Sequence, residues 1–162
     1  VEGLRNWLLA DPGYKRLEDS YHPDEFYLAR YSGNFEVNAD EALRAGDFDL
    51  TFNCYPQRFL KSGEFPIEVT AATSIINATS QTAKPLIRAY GTGSFTIGGA
   101  TLTISTASTY TDIDCDIMEA YKGSTNCNGN ISGTFPVLMP GENSVTITGI
   151  TKLERTPRWW IL

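Results

Sequence analysis

Apolar residues recur first at a helical spacing and then, for most of the chain, at a spacing of two. Val1, Leu4 and Leu8 fall on one stripe, with Trp7 and Leu9 on its flanks, which predicts a short amphipathic helix over residues 1–10. Asp11-Pro12-Gly13 ends it, because proline cannot continue the hydrogen-bond ladder and glycine favours a left-handed exit. Tyr21-His22-Pro23-Asp24 reads as a turn. Residues 26–37 read as a strand that buries Phe26, Leu28 and Tyr31, with Gly33-Asn34 a turn or bulge within it. Between 48 and 54 the alternation turns Phe48, Leu50, Phe52 and Cys54 to one face and Asp49, Thr51 and Asn53 to the other. If Phe52 sits in a packed core, Phe52→Ala should cost roughly 3–5 kcal/mol. Tyr55-Pro56 closes this section, and a turn-rich linker follows over about 56–70.

The remainder is strand after strand. Residues 84–90 form an apolar-rich run; 94–97 and 100–104 flank Gly98-Gly99, a hairpin signal because both turn positions can take positive φ. Residues 110–121 are long and mixed, 122–134 form a polar loop, and 135–143 a turn-rich connection. Residues 144–148 alternate with Val145 and Ile147 inward, and 152–159 make the last strand with Leu153 inward. The expected class is mainly β: all-β with one short N-terminal helix, a first domain over 1–60 and a β-sandwich over 61–162.

Composition narrows the function classes. The chain of 162 residues is 41% hydrophobic and 12% aromatic, which argues against disorder. Its formal charge of −6 disfavours nucleic acid or an anionic membrane as the main partner. No apolar run approaches the roughly 18 residues of a membrane-spanning helix. The uncapped helix at the very start suggests the later part of a longer protein. Cys54, Cys115 and Cys127 are odd in number and lack C-x-x-C spacing, so they read as reduced thiols and not as a disulfide framework or zinc site.

Candidate chemistry is sparse. Asp112, Asp114 and Asp116 form D-x-D-x-D, but Ile117 and Gly123 stand where a calcium loop needs Gly and Glu. On a strand the three carboxylates share one face, which reads as solvated or hydrogen-bonded. Gly91-Thr92-Gly93 begins like a nucleotide fingerprint, but Thr96 breaks it and no helix follows, so it reads as a turn between strands. His22 reads as a turn residue. Trp159, Trp160, Tyr110 and Tyr121 could stack on a sugar or pack inside the sandwich or against a partner. Asn77-Ala78-Thr79 and Asn130-Ile131-Ser132 match the pattern of glycosylation acceptors, which has meaning only in a secreted protein of a glycosylating cell. A hydrolase built on Asp114, Asp116 or Glu119 is the weakest reading. No catalytic, cofactor or metal residue stands out; Trp159, Trp160 and Tyr110 are the candidate sugar or partner contacts.

Four phrases resemble, in order, the distal tail proteins (often called Dit) of siphophages and related prophages. They are 85–93 (PLIRAYGTG), 113–121 (IDCDIMEAY), 135–143 (FPVLMPGEN) and 157–160 (PRWW). Residues 47–56 (DFDLTFNCYP) are similar to the final strand of that family's N-terminal domain, and 1–10 to its helix. The strands that precede this helix in the family are absent here. The resemblance implies a partial tail-tube-like domain and then a galectin- or carbohydrate-module-like sandwich. It also implies a hexameric ring at the virion tail tip, made in the bacterial cytoplasm. That ring joins the tail tube protein to the tail-associated fibre or lysin and to receptor-binding proteins. No cofactor, nucleic acid or membrane partner comes with it. The alternative is a carbohydrate-binding module for host cell-surface sugar.

Overall fold

In the computed structural model, described for residues 2–10, 12–33, 49–107 and 109–162, the protein is mainly β, with one short α-helix and three antiparallel sheets. The chain divides into a smaller unit, 1–58 with Leu162, and a larger one, 59–161.

In the smaller unit, α1 (Glu2–Leu9) is followed by β1 (Lys15–Leu17), β2 (Glu25–Tyr31) and β3 (Phe52–Leu60), the three strands adjacent in that order. The helix turns Leu8 inward and leaves Trp7 and Leu9 exposed; Val1 and the side chain of Leu4 lie outside the described residues. Asp19 caps the 19–22 turn: its Oδ1 accepts from the amides of Tyr21 and His22 at 2.8 Å each, and its carboxylate also meets His22 Nδ1. His22 is thus a turn residue.

Three expectations change here. On β2 the buried residues are Phe26 and Ala29, while Leu28 and Tyr31 are half-buried. The expected strand over 48–54 begins only at Phe52, which is half-buried, and Cys54 is exposed. Asn53 to Pro56 are all exposed, and Tyr55 stacks at 4.2 Å on Tyr14, itself an exposed ring, so alternation there has no core to serve. Pro56 does not break the chain's course: β3 runs through it to Leu60, because proline's φ suits extended backbone and costs only one N–H. Phe48 and 34–37 lie outside the described residues.

The larger unit contains β4 (Ile67–Val69), β5 (Thr73–Asn77), β6 (Leu86–Tyr90), β7 (Gly93–Ile97), β8 (Ala100–Ile104), β9 (Tyr110–Asp114), β10 (Glu119–Lys122), β11 (Thr125–Asn126), β12 (Ile131–Gly133), β13 (Gly141–Thr148), β14 (Lys152–Thr156) and β15 (Trp160–Ile161). One sheet has the order β11-β10-β9-β6-β14-β4, the other β12-β8-β7-β13-β5. Val69, Ile87, Ala89, Ile113, Ala120 and Leu153 from the first meet Ile75, Phe95, Ile97, Leu102, Ile104 and Val145 from the second in one enclosed cluster. That shared cluster makes the pair a β-sandwich. The end of β3 belongs to this unit too, where Leu60 N donates to Trp159 O at 2.9 Å beside β15.

Gly98 and Gly99, at φ 58° and 88°, form the two-residue turn between β7 and β8. Gly91-Thr92-Gly93 is a different device: it carries the chain from β6 in one sheet to β7 in the other. Gly93 has φ 140°, and a Cβ there would lie 2.1 Å from Thr148 O. The long connections are pinned by buried amides. Asn77 Nδ2 donates to Gln81 O (2.8 Å) and Leu138 O (3.0 Å), and its Oδ1 accepts from Thr79. Asn143 Oδ1 accepts from Met139 N, and its Nδ2 donates to Met139 O and Gly141 O. An Asn77 so enclosed presents no amide to a glycosylating enzyme.

Phe95, 1% exposed, is the true core aromatic. Phe95→Ala should cost about 3–5 kcal/mol, whereas half-buried Phe52→Ala should cost about 1–2 kcal/mol; urea denaturation of the two variants checks the contrast. Asn143→Ala should cost about 2–3 kcal/mol by stranding the Met139 amide, read the same way.

Candidate functional site on the outer face of the six-stranded sheet

Register decides what stands beside what on this sheet. Glu154 on β14 pairs with Glu68 on β4 and with Arg88 on β6; Arg88 pairs with Asp112 on β9, and Asp112 with Tyr121 on β10. These positions form one row across the outer face. The next row holds Lys152, Tyr90 and Tyr110. Each row consists of every second residue of its strands, so these two rows face outward while Ile87, Ala89, Ile113, Ala120 and Leu153, which alternate with them, face the core.

The groups in these rows satisfy one another. Arg88 Nε and Nη2 donate to the two Asp112 oxygens at 2.7 and 2.9 Å. Lys152 Nζ bridges Glu154 (2.7 Å) and Glu68 (3.0 Å), and the Tyr90 hydroxyl donates to Glu154 at 3.0 Å. The Arg88 guanidinium lies 4.3 Å from the centre of the Tyr110 ring, Lys122 Nζ 5.3 Å from the same ring, and Lys152 Nζ 4.6 Å from that of Tyr90. At the other end of β9, Arg158 Nη1 and Nη2 grip Asp114 at 2.7 and 2.8 Å, and Asp114 Oδ1 also accepts from Asp116 N. Arg158 reaches this position with φ 59°, a strained value for a side chain with Cβ, while its amide donates to Gly63 O at 2.8 Å.

The expected shared face of the three aspartates therefore holds for Asp112 and Asp114, which are buried under their arginines. Asp116 falls in the turn after β9, exposed, with Lys84 Nζ 3.1 Å away. Among the described residues, no group of three or more His, Cys, Asp or Glu side chains could hold a metal ion.

These contacts fix the protonation states. The hydrogen bonds from Arg158 hold the Asp114 carboxyl below the usual carboxylate range, and Lys152 does the same to Glu154. Their partners Arg158, Lys152 and Arg88 are pushed up by the carboxylates they bond. Burial pushes the Cys115 thiol up to about 12, away from a reactive thiolate. Carboxyls held ionised serve as poor proton donors near neutral pH and as good clamps.

The candidate contact aromatics do not converge. Tyr110 sits at the Tyr90 end of β9. Trp159 and Trp160 follow Arg158, whose side chain reaches Asp114, four residues or about 13 Å along the strand. Both tryptophans pack against the core, and Trp160 Nε1 donates to Thr82 O at 3.0 Å. The residue that the sequence reading overlooked is Arg155, buried on the inner face in the same alternation as Leu153.

No protein-family model, characterised protein or solved structure matches this chain.

Asp114 contributes stability that is present above its unfolded pKa and is lost as pH falls through its depressed folded value. Stability should therefore decline on acidification below about pH 4. Asp114→Asn should cost about 2 kcal/mol at pH 7 and flatten that decline; denaturation midpoints from pH 7 to 3 measure both.

Proposed function

We propose that this chain is a structural component of a long-tailed phage or prophage tail tip, a distal tail protein. In this reading it forms a ring hub that joins the tail tube to the tail-associated fibre or lysin and to receptor-binding proteins. The observation that carries the proposal is where the four resembling phrases lie. The first is β6 with the glycine crossing between sheets. The second is β9, its turn and β10, with the buried aspartates. The third is the connection pinned by Asn143 and by the Leu138–Ala83 bridge. The fourth is the Arg158 clamp and its tryptophans. All four fall on elements that brace the sandwich and none converges on a cleft, as suits a protein that works by holding others in place. A net charge of −6 suits a conduit for DNA, since like charges repel.

The sugar-binding alternative has less behind it. Stacking needs open ring faces, whereas Arg88 and Lys122 both lie against Tyr110. Trp159 and Trp160 are half-buried against the core and remain proposed contacts for a partner protein.

Expressed from its whole reading frame, the protein should form six-fold rings, with six times the chain mass by light scattering and a ring outline by electron microscopy. A strict monomer at the highest attainable concentration would overturn the hub reading. Calorimetric titration with host-wall polysaccharide should give no heat of binding.

A further inference from the structure

Arg155 occupies the one place in the sandwich where its chemistry is wrong for its surroundings. It pairs in register with Ile87 on β6 and Ile67 on β4, and the same row continues through Ile113 and Ala120. Ile87, Ile113 and Ala120 are fully enclosed, and Arg155 itself is 6% exposed. Alternation on β14 puts it on the inner side with Leu153, opposite to Lys152 and Glu154. Its Nε and Nη1 are sealed from solvent without a hydrogen-bond partner. Desolvation lowers its pKa, with no carboxylate to counter the effect.

The contrast lies within the same unit. Arg88 and Arg158 are both more exposed, and each holds a carboxylate through two bonds. Arg155 is the deepest of the three and has no such partner among the described residues. A buried guanidinium without a counter-charge is strongly unfavourable. Water could satisfy a donor but would leave the charge uncompensated among aliphatic side chains.

We propose that Arg155 anchors a binding site for a small carboxylate anion, held by its guanidinium inside the sandwich beside strand β4. Nε and Nη1 lie on different edges of the guanidinium fork, and Nη2 completes each edge. A planar carboxylate on either edge therefore accepts from one sealed donor and from Nη2. Nε and Nη1 have no water-sized space beside them, so the ligand enters as the sheet's margin moves aside: β4 is its last strand, only three residues long, and Ile67 next to Arg155 is 43% exposed. Among carboxylates, formate and acetate are the smallest, and they ask for the least displacement of the enclosing side chains. This site does not depend on the tail-hub reading.

The test uses the 162-residue chain, with sodium formate exchanged for sodium chloride at constant ionic strength. The Arg155 Nε–H resonance of 15N-arginine-labelled protein should shift saturably with formate. Tm should rise by about 5 °C near saturation. Arg155→Met should abolish the rise, and Arg155→Lys, which keeps the charge without the fork, should weaken binding at least about tenfold. If Arg155→Met fails to fold, the wild-type titration and Arg155→Lys decide. An unmoved resonance, an equal response to formate and chloride, or an Arg155→Met protein as stable as wild type with the same salt response would overturn the proposal.

Discussion

Arg88 stands opposite Asp112 on one neighbouring strand and Glu154 on the other, and it does so in only one register of the six-stranded sheet. The same register sends Ile87 and Ala89 inward to the enclosed cluster. A slip of one residue would turn the aliphatic row to solvent and the charged row to the core. Hydrophobic burial and outer-face ion pairing thus select a single arrangement. Surface ion pairs are individually weak. The Asp112 and Asp114 pairs are half-enclosed and bidentate, so they add specificity that exposed pairs such as Lys84–Asp116 do not.

The sequence was most legible where local chemistry and distant packing agreed. Gly98-Gly99 between alternating runs specifies a hairpin by itself, and the structure has one there. Gly91-Thr92-Gly93 carries an equal turn signal, yet the chain leaves one sheet for the other, because periodicity says nothing about which sheet a strand joins. The D-x-D spacing placed Asp112 and Asp114 together. Their arginines lie 24 and 44 residues away in the chain, and no spacing rule reaches that far. The alternation ending at Phe52 and Cys54 misled for the opposite reason: a good local pattern met no described core to bury it. Arg155 was legible in principle, two residues after an inward Leu153, but a cation is ordinarily assigned to the wet face.

The proposed scaffolding role draws on how the charged groups are disposed. Asp114 and Glu154 are held ionised by cations, Cys115 is held protonated by burial, and Arg88 is fixed on Asp112 while its flat face covers Tyr110. Such groups stiffen a surface. A stiff face with matched charges presents a fixed pattern to a neighbouring protein without rearrangement, which lowers the ordering cost of association. The strained backbone of Arg158 fits the same logic, since the Asp114 clamp and the Gly63 hydrogen bond together hold a conformation that the local chain disfavours.

Arg155 runs against that economy. Moving β14 by one residue would free its guanidinium to solvent, so this side chain opposes the register that every neighbour supports. The native register wins because the slip would turn Leu153, fully enclosed, out of the core and would break the Lys152–Glu68 and Tyr90–Glu154 hydrogen bonds to the neighbouring strands. A methionine or leucine of similar length would remove the conflict and fill the same space. The arginine keeps two unpartnered donors enclosed among aliphatic side chains, and the proposed carboxylate would relieve both the charge and the missing hydrogen bonds at once.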